Sequence, residues 1–485
     1  MFYSTRSNRT ATSSKAIYKG LSEDGGLYVF NQINSDFFNE TLLTLTYQEL
    51  AETLFSTLLD DFTDEEIKEV VTTSYNVNNF PNAIVEIEHF NNYSYLELFH
   101  GNTFAFKDMA LSALPNLYKK SKEIQKVSKN TIILTATSGD TGSAALNGFS
   151  NLDDVYTIVL YPTKGVSEFQ ELQMNAYQSD RHIVLAVDGN FDDCQNIVKK
   201  IFQTVEPSNV NLGSANSINI GRILPQIVYY LYSYLELVKD KKITYGEPIN
   251  ITVPTGNFGN IYAAYIAKQL GTPINKLIIA SNSNNVLSDL FNKHIYTIDR
   301  TLHQTISPSM DILISSNVER YLYELEDRDS SKIKAIMDEI VVNGSVKIPS
   351  VSNQSDFYAS YASEQETYQE IANTLKTDNY LIDPHTAVAK VVADKYFKKT
   401  NDDTHMLIVS TANPYKFSDA IVTALKLETS LSLADKFRKI EEVSGRKIDS
   451  RMISVLKSTN SKKQVSFEDA LKYVMKVIGD IDDKN

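Results

Sequence analysis

Through the middle of the chain, short runs of apolar and β-branched residues alternate with segments of helical composition. Thr131–Thr137, Val155–Tyr161 and His182–Val187 are of the first kind; Ser167–Tyr177 and Phe191–Phe202 are of the second, with Asp192 and Asp193 suited to a helix N-terminus. The alternation resumes with Ile249–Val253, Lys276–Ala280 and Met406–Ser410. Strands that are apolar at every position are buried on both faces, the condition of a parallel sheet with helices on either side. The pattern predicts an α/β fold with two doubly wound parallel sheets, one around 111–224 and one around 225–420.

The flanks read differently. Asp24-Gly25-Gly26 predicts a tight turn into a short strand over Leu27-Tyr28-Val29, and Leu50, Leu54, Leu58 and Leu59 give Tyr47–Phe62 a helical spacing. Tyr321–Ile340 is charged enough to predict a solvated helix, and the segment after Leu425 is helical and charged. A length of 485 residues suits two to four domains, and 42% hydrophobic residues suffice for sizeable cores.

Charge and composition narrow the function. The balance of 47 basic against 60 acidic side chains leaves −13, which repels nucleic-acid backbones and requires a locally positive pocket for any anionic substrate. Cys194 is the one cysteine, so an intramolecular disulfide and a cysteine-built metal site are both ruled out, and a small core residue is expected there. The seven histidines show no metal-ligand spacing, and no metal is expected. The apolar runs are shorter than the ~18 residues of a membrane span, and the polar start carries no secretory segment, so a cytosolic protein is expected. There is no dinucleotide fingerprint, Walker loop or nucleophile elbow.

Four segments carry candidate chemistry. Lys107 lies among Phe104, Ala105, Phe106, Met109 and Ala110; burial favours the neutral amine that attacks an aldehyde, although such lysines commonly snorkel to solvent. Thr255-Gly256-Asn257-Phe258-Gly259-Asn260 joins a strand to a helix, where free N–H groups suit a phosphate, although an ordinary turn has the same form. Thr137-Ser138-Gly139-Asp140-Thr141-Gly142 is a second such junction, equally readable as a capped helix start. Ser214-Ala215-Asn216-Ser217-Ile218-Asn219-Ile220-Gly221-Arg222 gathers small polar groups around one guanidinium, as an anion clamp or simply a polar loop.

In order and wording together, these segments resemble the threonine synthases. The resemblance runs through Leu98–Asp108, Ala136–Gly142, Ser214–Arg222, Pro254–Asn260, Ser307–Ile312, Leu381–Val388 and Ser410–Pro414, and begins with Tyr3–Arg6 and Asp24–Val29. It implies a fold-type-II pyridoxal-phosphate enzyme, similar to the tryptophan synthase β chain, of the longer class with an N-terminal domain. The implied domains are 1–92 (N-terminal), 93–110 with 225–424 (large, cofactor-binding), 111–224 (small, substrate-binding) and a helical extension over 425–485.

It further implies that Lys107 holds pyridoxal 5'-phosphate as a Schiff base and that the backbone of Gly256, Asn257, Phe258, Gly259 and Asn260 holds its phosphate. Thr411 would meet the pyridine nitrogen. Ser138, Asp140 and Thr141 are expected to orient substrate, and Ser214, Asn216, Asn219 and Arg222 to bind its phosphate. The implied reaction is γ-elimination of phosphate from O-phospho-L-homoserine and β-addition of water, in a monomer or small homo-oligomer. A phospholyase on another phosphorylated amino compound, or a silent scaffold, is the alternative. Asn102 and Asn413 depart from the family pattern, where proline and histidine are usual.

Overall fold

The computed structural model describes residues 1–31, 33–205, 209–460 and 462–483. Two sheets organise it. The larger has the order Phe357–Tyr361, Ile274–Ser281, Ile249–Pro254, Met406–Ser410, Tyr93–Glu97, Glu86–His89. The first five are parallel, and Glu86–His89 closes one edge antiparallel to its neighbour. The smaller sheet is parallel throughout, in the order Gln464–Val465, His182–Val187, Val155–Pro162, Asn130–Ala136, Val210–Ser214. Every residue of Ile249–Pro254, Met406–Ser410 and His182–Val187 is buried, which is why these strands read as unbroken apolar runs. The α/β expectation with two parallel sheets is met.

Local signals set the helix ends. Asn190 and Asp193 form a capping box for Phe191–Thr204, and Thr46 with Glu49 does the same for Tyr47–Leu58. Pro384 sits in the first turn of Pro384–Thr400, behind the Asp383 cap. Phe2–Ser4, Thr10–Ala11 and Tyr28–Val29 pair as a small antiparallel sheet. Arg320, fully buried, donates to Tyr28 O at 2.8 Å and to Ile218 O at 2.6 Å, tying the N-terminal segment to the loop after Val210–Ser214.

Two elements differ from expectation. Tyr321–Ile340 is not one solvated helix but parts of two, Val318–Leu325 and Ser330–Asn343. Asp327 and Arg328 turn left-handed between them (φ 53° and 61°), and Asp329 caps the second. Tyr321, Leu322, Ile333 and Ile340 face the core, so the charges describe only the outer side. After residue 424 the chain is mainly helical, but Gln464–Val465 adds an edge strand to the small sheet. Helix Phe467–Asp482 then packs Ala470, Val474 and Ile478 into the cluster containing buried Cys194, Ile197 and Ile201. At about 1.5–3 kcal/mol per buried aliphatic side chain, that helix anchors the segment far more than a two-residue strand does. Among the described residues no helix is long and apolar enough to cross a membrane.

Candidate active site

The functional side chains come from the carboxyl ends of adjacent strands, where ligands of parallel α/β sheets bind. In the large sheet, Tyr93–Glu97 leads to the Lys107 loop, Ile249–Pro254 to residues 255–260, and Met406–Ser410 to Thr411. The loops interlock: Leu98 N donates to Ser410 O at 3.0 Å and Phe106 N to Thr411 O at 2.8 Å. Thr411 is thereby fixed beside Lys107. Asp108, buried one residue on, accepts from Thr103 N at 2.8 Å and Thr103 Oγ1 at 2.5 Å, which stiffens the turn.

Lys107 opens the short helix Lys107–Leu111 and is only 9% exposed. Its Nζ donates to Ser309 Oγ at 3.4 Å, lies 3.6 Å from Asp140 Oδ2 and stands 4.9 Å from the centre of the Phe106 ring. Burial pushes its pKa below the usual lysine value; Asp140 pulls it back, and Arg222 and Lys416 push it down again. The neutral amine is thus easier to reach than in a solvent-exposed lysine.

Asp140 comes from the small sheet, at the start of helix Asp140–Phe149. Its Oδ1 accepts from Gln170 Nε2 at 2.7 Å and lies 3.0 Å from Nζ of Lys416, a lysine with no exposed surface. Burial opposes ionisation, yet Lys416 and then Lys107 hold this carboxyl well below the usual carboxylate range. Asp140, expected to orient substrate, is here paired with both lysines of the site.

The 255–260 loop is built as an anion cradle. Its carbonyls are tied back: Ser315 Oγ donates to Gly256 O at 2.7 Å, and Asn317 donates to Asn257 O from N at 3.0 Å and Nδ2 at 2.8 Å. Among the described residues, the backbone N–H groups of 256–260 make no hydrogen bond, and helix Gly259–Gln269 begins here without a side-chain cap. Gly256 is required by close approach, since a Cβ there would lie 2.5 Å from Ser309 O. Phe258 is left-handed at φ 61°, a strain of about 1–2 kcal/mol offset by burying its ring beside Phe291, Tyr321 and Phe357. Asn260 Oδ1 accepts from Tyr229 OH at 2.8 Å and from Tyr230 OH, while its buried Nδ2 has no partner.

The remaining candidates divide. Ser138 and Thr141 are half-buried near Asp140, and their hydroxyls make no hydrogen bond among the described residues. Ser214 Oγ accepts from Asn216 N at 3.2 Å, and Asn216 Oδ1 is buried without a partner. Arg222 is buried, donates from Nη1 to Ala215 O at 2.6 Å and leaves Nε unpaired; burial lowers its pKa to about 10. Asn219 departs from its expected substrate role. Its Oδ1 accepts from Gly221 N at 2.9 Å and its Nδ2 donates to Ile17 O at 2.8 Å, so both ends hold the fold.

Sequence reasoning overlooked Lys416 and the support around Ser309. Ser309 N donates to His385 Nε2 at 3.2 Å, and His385 Nδ1 lies 2.8 Å from Asp383 Oδ1, both residues being buried. Ser309 thus stands between the cradle and Lys107, held by an Asp–His pair. For Lys416 the available signal was its setting, Pro414-Tyr415-Lys416-Phe417, as apolar as that of Lys107.

A buried lysine beside an anion cradle at the ends of parallel strands defines a pyridoxal-phosphate-dependent enzyme, and residues 91–412 match the family described as pyridoxal-phosphate dependent enzyme. Residues 1–75 match the threonine synthase N terminus and 386–458 the threonine synthase C-terminal family. Threonine synthase of Schizosaccharomyces pombe is 37% identical over 460 residues, covering 87% of this chain and 89% of that one. Threonine synthase-like 1 of Homo sapiens is 40% identical over 86% of this chain, which spans 58% of that protein's length. The PLP-bound threonine synthase from Brucella melitensis superposes with a TM-score of 0.83 at 33% identity, covering 99% of both chains. The yeast threonine synthase crystal structure gives 0.85 at 32% identity, covering 98% of both. The chain belongs to the threonine synthase family. Its cofactor is pyridoxal phosphate, and the free N–H groups at 256–260, the close approach at Gly256 and the buried amine of Lys107 fit that group.

Proposed function

We propose that the chain converts O-phospho-L-homoserine and water into L-threonine and inorganic phosphate. One observation carries the reading: the site has two separate anion-seeking features. The cradle at 256–260 suits the cofactor's phosphate, and buried Arg222, with Nε unpaired and near enough to Lys107 to depress its pKa, suits a phosphate on the substrate.

When bound, pyridoxal phosphate supplies an electron sink that stabilises negative charge on the carbon bearing the amine. The chain supplies the rest. Lys107 holds the cofactor and, once displaced by substrate, moves protons at Cα, Cβ and Cγ. Asp140, shared by Lys107 and Lys416, keeps the released lysine close to its place. Ser309 steadies the lysine amine, and the Thr411 hydroxyl would meet the ring nitrogen of the bound cofactor. Arg222, Ser214 and Asn216 receive the phosphate leaving Cγ, Ser138 and Thr141 hold the substrate carboxylate, and water adds at Cβ.

The test is purified protein with pyridoxal phosphate and O-phosphohomoserine, measuring phosphate and threonine together. Equimolar appearance of both is expected. Phosphate without threonine, or no phosphate while the cofactor's absorption shows it bound, overturns the reading. A second reading, phosphate elimination from another phosphorylated amino compound, is favoured by the likeness to threonine synthase-like 1 and by Asn413. Faster phosphate release from O-phosphothreonine than from O-phosphohomoserine supports it.

A further inference from the structure

A cavity of about 630 Å³ lies behind the Lys107 loop, between the antiparallel edge of the large sheet and the segment 444–451. Glu86, Glu97 and His100 line it, and one donor atom of each lies within 4.8 Å of the others. The arrangement begins in the register of the sheet: Glu86 and Glu97 are directly opposed residues of antiparallel neighbours. Like charges at such a position destabilise a strand pair unless a cation intervenes.

We propose that Glu86, Glu97 and His100 bind a divalent first-row transition cation of the zinc or manganese type. His100 Nε2 lies 2.9 Å from Glu97 Oε2 and 3.6 Å from Glu86 Oε2. It nevertheless makes no hydrogen bond, because its N–H axis does not point at either oxygen. The three atoms lie within 4.8 Å of one another, close enough to share one ion. Ligands about 2.1 Å from a tetrahedral ion stand about 3.4 Å apart, so the Glu86 separation already fits and the Glu97 one opens by about half an ångström.

Glu97 is oriented from behind. Its Oε1 accepts from Tyr380 OH and from both terminal nitrogens of Arg446 at 3.3 Å, which leaves Oε2 for the metal. Arg446, Lys447 and Arg451 also line the cavity, against Glu86, Glu88, Glu97 and Asp449. The cavity leaves room for water at the remaining coordination positions. An imidazole with two carboxylates prefers such an ion to calcium or magnesium. The cation is structural: His100 and Gly101 begin the loop that ends in Lys107, and Arg451 Nη1 reaches the carbonyl oxygens of both, at 3.4 and 3.2 Å. Spacing along the sequence concealed the site because Glu86 arrives by strand pairing.

The test uses holoenzyme stripped with a chelator, then titrated calorimetrically with Zn²⁺, Mn²⁺, Mg²⁺ and Ca²⁺. One equivalent of Zn²⁺ or Mn²⁺ is expected to bind more tightly than Mg²⁺ or Ca²⁺. Glu86→Gln and His100→Gln should each weaken it at least tenfold while the bound cofactor's absorption is unchanged. Glu86 is 44% exposed, so its variant remains informative if the His100 variant misfolds. No saturable binding at about 100 μM Zn²⁺ (a weak limit, roughly −5.4 kcal/mol), tighter binding of Mg²⁺, or undiminished affinity in Glu86→Gln would each overturn the proposal.

Discussion

The two glycine-bearing junctions, 137–142 in the small sheet and 255–260 in the large, have the same outline of strand, turn and helix, yet they differ in how many donors they spend and in the charge beside them. In the first, Thr137 Oγ1 accepts from Gly139 N at 2.9 Å and Gly142 N at 3.0 Å, and an ionised Asp140 adds negative charge. In the second, neighbours bind the carbonyls and the N–H groups stay free. The first junction spends two of its donors inside the turn and sets an acidic side chain among the rest, whereas among the described residues every N–H from 256 to 260 stays free for an anion. A glycine-rich turn before a helix is thus a permission for anion binding; where its carbonyls and donors are spent decides the matter.

Lys107 stands between the junctions, so its removal gives the largest effect. Lys107→Ala should lower threonine formation by at least about a thousandfold and abolish the absorption of lysine-bound cofactor; persistence of that band would separate Lys107 from the site. Next, Gly256→Ala forces a Cβ against Ser309 O, a cost of about 1–3 kcal/mol, or roughly ten- to a hundredfold in cofactor dissociation constant by absorbance titration. Thr137→Val provides the contrast. It strands two N–H groups, costing about 1–3 kcal/mol in thermal unfolding, and should leave cofactor affinity unchanged. If the two variants behave alike, the distinction between the junctions fails.

A subtler effect is expected from Asp140→Asn. Asp140 raises the Lys107 pKa, so its loss moves the pKa further down and more neutral amine is present at a given acidic pH. The pH midpoint for capture of added pyridoxal phosphate by cofactor-free protein should shift down; an upward shift would contradict the ion pair. The smallest effect belongs to Asp383→Asn, which loosens the His385 support of Ser309 and should slow turnover by about three- to tenfold with little change in cofactor affinity.

Strands buried on both faces, such as Met406–Ser410, were legible because their chemistry is written in consecutive residues. So were Lys107 and the 255–260 loop, whose segments keep the family's wording. The break at Asp327–Arg328 was not, because it rests on two left-handed residues with no glycine to mark them. Gln464–Val465 was too short to show a period. Lys416 and His385 act through partners far along the chain, Thr103 and Asp140 for one and Ser309, 76 positions away, for the other. A sequence states what each residue can do; the polarity around Asp140 and Asn219 arises only once the chain has closed on itself.

The returning strand Gln464–Val465 and the helix after it bear on how the protein is made. The small sheet's strands from Asn130 to Ser214 are synthesised together, yet one side of their core is covered by Val474, Ile478 and Ile481. During translation that apolar face must wait for the whole large lobe to leave the ribosome. Until residues 467–482 arrive, that apolar surface has no partner from its own chain to cover it.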